Sequence, residues 1–441
     1  MTKITKNDLA YFGGPKAIPE RDDSLFHWPI VTEEDIAAVQ DVLVAGIMSG
    51  TGITKEFEKE FAQWNGAKYA LGCCNGTASL TAAMWACGVG AGDEVICPSL
   101  TYWATCASAL QLGATVNFAD ADPVSLCIDP NDIEHRISER TKAIVVVHYC
   151  GTPVDMDAIM DIARRHGIKV LEDVSHAVGS LYKGRKCGTL GDIAGMSMMA
   201  GKAFAIGEAG MVLTNNRELY ERCIAFGHYE RTGAPSRFNP PDAQITMDSL
   251  LPYIGLPLGG VKHRMNQTCA AMGRVQLKYY QERIEEIDRA MTWFMDRIEA
   301  EIPGLTGHRP TTPGSTNGGW YVPCCHYDPA AFGGCPAELF SDLIRAEGMH
   351  CVNGINNPLH LHPYFHTADI FHQGCSTALA FGQRDVRQGE GACPVTEAVT
   401  DRTIQVPWFK HCRKEEIEKH VAGFVKVATF VRENPGFNAV K

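Results

Sequence analysis

The chain has 441 residues, 45% of them hydrophobic and 21% charged, which suits two ordinary globular domains with room for a site between them. A formal net charge of -11 with no Lys/Arg-rich run argues against a nucleic-acid partner, and no segment approaches the roughly 20 apolar residues of a membrane span or the core of a signal peptide. Seventeen Cys, an odd count with several inside apolar runs (Cys97, Cys106, Cys269), point to a reducing, cytoplasmic setting, and the lack of paired Cys-x-x-Cys knuckles argues against a structural metal.

From residue 68 to 200, short apolar runs alternate with helical patterns. Strands are predicted at Tyr69–Cys73, Glu94–Cys97, Thr115–Ala119, Ala143–Val147 and Lys169–Leu171, with Met211–Leu213 a further one. Helices are predicted at Ala78–Cys87, Tyr102–Leu112, Asp129–Ile137 and Met156–His166. This alternation implies an α/β fold with a mainly parallel, doubly wound sheet, whose ligands sit at the carboxyl ends of the strands. A long helix from about Met265 to Glu299 leads out of that domain. The Gly/Pro/Thr-rich residues 303–319 then lead into a smaller mixed domain. Residues 354–395 read as loops, and neither repeats nor low-complexity tracts occur.

Four features carry chemistry. Cys74-Asn75-Gly76-Thr77-Ala78-Ser79 follows a strand and opens a helix, as a phosphate cup does, although an ordinary capped turn reads the same way. Tyr102, in Pro98-Ser99-Leu100-Thr101-Tyr102-Trp103, is an aromatic at a helix start that could stack on a flat ring or simply pack in the core. Glu172-Asp173 ends a buried strand, with His176 three residues on; a carboxylate there can hold a pyridine nitrogen protonated, cap a helix or bind a metal. Lys202 is alone in the uncharged stretch 195–204, where an amine tends towards the depressed pKa that imine formation needs. Each has a bland alternative. Their order, with Lys202 standing 29 positions after Asp173, favours pyridoxal chemistry over chance. Gly88-Val-Gly90-Ala-Gly92 runs from helix to strand, the wrong context for a dinucleotide fingerprint. His350, His360, His362, His366 and His372 are irregularly spaced with no carboxylate pair, and read as solvated loop or substrate-hydroxyl contacts rather than metal ligands.

The wording of these motifs resembles the DegT/StrS family of pyridoxal-phosphate-dependent sugar and cyclitol aminotransferases. The resemblance rests on Gly92–Ile96 leading to Pro98-Ser99-x-Thr101-Tyr102, on Gly113-Ala114-Thr115, Asp122-Pro123 and Ile128-Asp129-Pro130, and on Val147–Gly151 and Glu172-Asp173 with His176. It implies a fold-type I transferase: an N-terminal arm (1–30), a large domain (31–275) with a seven-stranded sheet, and a bridging helix with a small α+β domain (276–441). Lys202 would hold the cofactor as a Schiff base and move the substrate proton, and Asp173 would pair with the pyridine nitrogen. His176 would sit near the ring hydroxyl, Tyr102 would stack, and Gly76, Thr77 and Ser197 would bind phosphate. Lys262 stands where many members carry an Asn reaching the neighbouring subunit's phosphate, implying a homodimer with shared active sites. The implied reaction takes an amino group from L-glutamine or L-glutamate to a keto-sugar or keto-cyclitol. The stretch Tyr327–Gly334 resembles the scyllo-inosose type, and Asn357–Pro363 resembles a loop near the active-site mouth. Alternatives are a ketosugar dehydratase, which Lys202 argues against, and a cofactor-binding sensor. The chain departs from the family at Ala209 in the Gly207–Gly210 turn, at Ala203 after the lysine, and at Met198-Met199 on the pocket floor.

Overall fold

A computed structural model describes residues 4–233 and 243–437, so Met1–Lys3 of the N-terminal reading lie outside it. After helices α1 (Glu33–Val44) and α2 (Gly52–Asn65), strand and helix alternate: β1 (Tyr69–Cys73), α3 (Gly76–Ala86), β2 (Glu94–Pro98), α4 (Ala104–Gln111) and β3 (Thr115–Ala119). Then come α5 (Pro130–Arg136), β4 (Thr141–Val147), α6 (Met156–His166), β5 (Lys169–Asp173), a short hairpin β6–β7 (Leu181–Tyr182, Arg185–Lys186), β8 (Ile193–Ser197), β9 (Gly210–Thr214) and α7 (Arg217–Gly227). The main sheet has seven strands in the order β1-β9-β8-β5-β4-β2-β3. Strands β3, β2, β4, β5 and β8 pair in parallel; β9 runs antiparallel to both β8 and β1. This is the mainly parallel α/β sheet that the alternation predicts.

Both faces of the sheet are covered, which is why its strands are almost continuously apolar. One cluster gathers Ile144, Val146, Val170, Met196 and Met211 against α2, α6 and the start of the long helix α8 (Gln267–Glu301). The other gathers Val95, Val145, Leu171, Ile193 and Val212 against α3, α4 and α7.

Helix α8 has 35 residues and spans about 52 Å. Up to Ile284 it buries its apolar face on the large sheet, and from Ile287 to Ile298 in a separate cluster. That second cluster surrounds the antiparallel sheet of β10 (Leu305–Gly307), β11 (Cys324–Tyr327), β12 (Val352–Asn353) and β13 (Thr403–Gln405), order β10-β11-β13-β12. Helices α9 (Ala337–Ala346) and α13 (Lys414–Glu433) pack on it, and so do Leu9, Ile18 and Leu25 of the N-terminal segment.

Residues 354–395 are less irregular than their composition suggests. They contain α10 (Pro363–Thr367), α11 (Thr377–Ala380) and the start of α12 (Pro394–Arg402). Much of this excursion returns to the large sheet: Leu359, Phe365 and Cys393 join its core, and Arg384 forks onto Glu94 with both bonds at 2.7 Å.

Candidate active site

The carboxyl ends of β1, β2, β5 and β8 open onto one cavity of about 670 Å³, at the position where such sheets bind ligands. Of the site residues expected from sequence, Gly76, Thr77, Tyr102, Asp173, His176, Ser197 and Lys202 all line it. Lys262 does not: in its own chain it is exposed, over the Tyr229 ring.

At the end of β1, Asn75 is extended and its side chain caps α3 by accepting the Ala78 N–H at 2.8 Å. The helix N-terminus therefore points into the cavity with its dipole favouring an anion. A Cβ on Gly76 would meet the Cβ of Ser197 at 2.6 Å, so glycine is what lets this helix start lie directly against Ser197. Gly210 plays the same part from below, since a Cβ there would collide with the Asn75 carbonyl.

Strand alternation sends the two neighbouring carboxylates to opposite faces of the sheet. Asp173 faces the cavity, where Thr105 donates to Oδ2 at 2.7 Å and the Ser175 N–H to Oδ1 at 3.0 Å. It is held by a hydroxyl and an amide rather than by a cation. Glu172 is fully buried on the other face and accepts the N–H groups of Gly188, Leu190 and Gly191 at 2.7, 2.8 and 2.7 Å. Its remaining partner is His148, 2.9 Å away through Nε2. Because His148 Nδ1 accepts the Val154 N–H at 3.1 Å, Nε2 is the protonated nitrogen and donates to Glu172. Glu172 is thus a structural anchor for the chain beneath the site.

His176 is buried under the cavity floor, its ring 4.5 Å from Tyr321 and 5.7 Å from Tyr149. Burial, helped by the Lys202 charge, holds its pKa well below the usual imidazole range. The Cys150 N–H donates to Nδ1 at 3.4 Å, from a residue forced to φ 51°, which leaves Nε2–H to face a ligand.

Lys202 sits in a tight turn, its N–H on the Met199 carbonyl at 2.8 Å and its carbonyl accepting the Trp28 indole N–H at 3.0 Å. Its Nζ lies 4.0 Å from the Tyr321 ring centroid. Burial lowers its pKa to about 8, against the opposing pull of Asp173 and Cys150. Such an amine is available as a nucleophile near neutral pH.

Several residues of the site escaped sequence reading. Thr105 stands one helical turn after Tyr102, a spacing that could have flagged it. Tyr321, Asn356 and Gln405 come from loops and the small sheet, with no local pattern to mark them. Tyr149 OH donates to Asn356 Oδ1 at 2.6 Å and fixes that loop. Tyr102 is half exposed and rests on Trp103, its helix starting two residues later than expected. Met199 lines the cavity, whereas Met198 is buried in the core.

The Tyr327–Gly334 stretch lies away from the cavity, with Tyr327 and Phe332 stacked at 4.8 Å within the small-domain core. One further expectation is corrected. His360 is neither solvated nor a substrate contact. It is buried, bridging Ser99 Oγ (2.7 Å, through Nδ1) and Glu397 (2.9 Å, through Nε2), and it pins the 354–395 excursion to the strand β2 exit. His362 caps α10, and His366 donates to the His360 carbonyl at 2.6 Å. Among the described residues, no group of three or more His, Cys, Asp or Glu is arranged to hold a metal. None of their helices is long and apolar enough to cross a membrane.

Comparison with known proteins agrees with this geometry. The Bacillus subtilis (strain 168) spore coat polysaccharide biosynthesis protein SpsC is 35% identical over 76% of this chain and 84% of its own length. The L-glutamine:2-deoxy-scyllo-inosose aminotransferase of Streptoalloteichus tenebrarius is 31% identical over 86% of this chain and 88% of its own. Among solved structures, the aminotransferase from Psychrobacter cryohalolentis superposes with a TM-score of 0.74 at 26% identity, covering 90% of this chain and 97% of that one. The model of the DegT/DnrJ/EryC1/StrS aminotransferase family matches residues 29–425, and the chain belongs to that family as an aminotransferase.

Proposed function

We propose that this enzyme moves an amino group from L-glutamine or L-glutamate to a keto-cyclitol of the scyllo-inosose kind, using pyridoxal phosphate held through Lys202. The observation that carries the reading is the buried Lys202 amine, its pKa lowered to about 8, in one cavity with Asp173. The other residues fit the same group. The α3 N-terminus, opened by Gly76 against Ser197, suits its phosphate; the Asp173 carboxylate, held by Thr105 and the Ser175 amide, suits its ring nitrogen; the His176 Nε2–H suits its ring hydroxyl. Bound pyridoxal phosphate supplies an electron-withdrawing ring that stabilises negative charge on the substrate carbon. Lys202 takes a proton from that carbon and returns it on the other side of the transfer, while Thr105 and Ser175 keep Asp173 in position.

A cyclitol acceptor is supported by the scyllo-inosose-type relative and by a wall of neutral hydrogen-bonding groups, Asn356, Gln405 and Tyr321, suited to ring hydroxyls. Lys202 is the one Lys or Arg lining the cavity among the described residues. A second copy contributing Lys262 would supply the missing positive charge. The exposed apolar run Leu251, Tyr253, Ile254, Leu256 and Leu258, close to it in sequence, supports a homodimer. Seventeen unpaired thiols support a cytoplasmic setting.

The test is to incubate the cofactor-loaded enzyme with L-glutamine or L-glutamate and a panel of ketocyclitols and nucleotide ketosugars, and to identify the amine by mass. Amine formation from scyllo-inosose is the expected result. Transfer to nucleotide ketosugars alone would move the acceptor to the sugar branch, and no transfer with a normal cofactor absorbance would favour a sensor.

A further inference from the structure

A second cavity, of about 220 Å³, lies between the N-terminal segment and the C-terminal helix, and it shares no lining residue with the cofactor cavity. Its walls are Arg21, His350, Lys410 and His420 together with the aromatic rings of Phe26 and Trp408. All of its titratable walls are basic, in a chain whose net charge is -11.

Lys410 is the decisive residue. Only 4% of it is exposed, and among the described residues its Nζ has no hydrogen-bond acceptor. Its Nζ lies against the Trp408 ring and 5.0 Å from the Trp28 ring centroid, neither of which offers a strong acceptor. Nδ1 of His420 is a second buried polar atom without a partner, its ring packed edge-on to Phe26 and Phe409 at 5.8 and 5.1 Å. Acids come near without lining the cavity: Asp23 pairs with Arg21 at 2.7 Å, and Glu416, which acts on His420 from α13, lines with Glu20 and Asp22 an adjoining cavity that shares His420.

A buried ammonium without an acceptor is expensive to maintain, and a fold that keeps one gains most when an anion arrives to fill it. We propose that this cavity is a binding site for a small carboxylate with a flat or apolar body, its carboxylate on Lys410 and His420 and its body between Phe26 and Trp408. The volume is below that of ordinary drug-sized pockets and suits an acid of a few carbons to one ring. A phosphate dianion suits it less: Arg21 stands exposed and already paired at the mouth, so inside there is a single point charge and no guanidinium fork. Burial holds the Lys410 pKa well below 10.5, and an anion beside the amine favours its charged form. The site is one layer from the chemistry, because Trp28 donates to the Lys202 carbonyl and Trp408 meets Tyr321 edge-on at 5.6 Å.

The experiment is calorimetric titration of the cofactor-loaded protein with benzoate and, separately, inorganic phosphate, at constant ionic strength. Saturable benzoate binding is expected, weakened by about tenfold or more in Lys410→Met. His420→Gln, a milder change that guards against misfolding of the first variant, is expected to weaken it by about threefold. Unchanged affinity in Lys410→Met would place the benzoate elsewhere, including the cofactor cavity, and overturn the proposal. Absence of saturable benzoate binding, or tighter binding of phosphate than of benzoate, overturns it as well.

Discussion

The two walls of the candidate active-site cavity are built differently. One wall comes from strand ends of the large sheet: the Gly76 helix start, Thr105, Asp173, His176, Ser197 and Lys202. The other comes from loops and the small sheet: Tyr321, Asn356 and Gln405. The first holds every ionisable group that the proposed chemistry uses and rests on a covered sheet, where a shift of one residue along β5 would exchange Glu172 and Asp173 between its faces. The second offers neutral hydrogen-bonding groups, positioned by single contacts such as Tyr149 to Asn356. Reaction type belongs to the rigid wall, and acceptor choice to the adaptable one.

The largest expected effect falls on the rigid wall. Lys202→Ala is expected to lower amino transfer by more than about a thousandfold, measured as kcat for the amine product. Full retention of transfer would end the assignment. Within that wall, Glu172 and Asp173 separate structure from chemistry. Asp173→Asn is expected to lower kcat by roughly a hundredfold or more with little change in melting temperature. Glu172→Gln is expected to destabilise the protein by about 3 kcal/mol in denaturant titration, because a carboxylate holding three N–H groups and His148 becomes an amide. If the two variants exchanged phenotypes, strand alternation would not be what divides their roles.

This pair also marks how far the sequence could be read. The alternation of apolar runs and helical patterns identified the sheet, because strands buried on both faces are written as continuous hydrophobic runs. The candidate site is legible from the order of four features and from the family resemblance, because Asp173 and Lys202 each have a bland alternative when read alone. The Glu172-Asp173 dipeptide did not reveal which carboxylate faces the cavity until the strand was seen to continue through residue 173. The adaptable wall was illegible. Asn356 is anchored by Tyr149, 207 positions away, Gln405 reaches the cavity on the small sheet, bonded to Gly354 51 positions away, and His360 acts through Ser99, 261 positions away, and Glu397.

The next effect, similar in size to that of Glu172→Gln, concerns pH. In the cofactor-free protein, the Lys202 pKa is lowered from 10.5 to about 8, so between those values the unfolded chain binds more protons than the folded one. The burden on the fold is complete below about pH 8 and is relieved as pH rises towards 10.5. Its size is on the order of 3 kcal/mol. Cofactor-free Lys202→Met is therefore expected to be more stable than wild type at pH 7, with the gap narrowing from pH 8 to 10. A gap constant with pH would mean that the amine is not desolvated.

The adaptable wall is expected to give the smallest effects, and Tyr149→Phe isolates one. The substitution removes a single hydroxyl that donates to Asn356 at 2.6 Å and leaves a ring that still packs in the core. Asn356 loses its anchor, but its side chain stays at the cavity rim, where water can satisfy it. The loss is that of one neutral hydrogen bond, about 1 kcal/mol, which corresponds to a change of roughly fivefold. Because the loop only orients the acceptor, the change should appear in KM for the keto acceptor, with KM for the amino donor and the cofactor absorbance unmoved. A fall in kcat for both half-reactions instead would show that Tyr149 acts through His176, 5.7 Å away, and would move this residue from the adaptable wall to the rigid one.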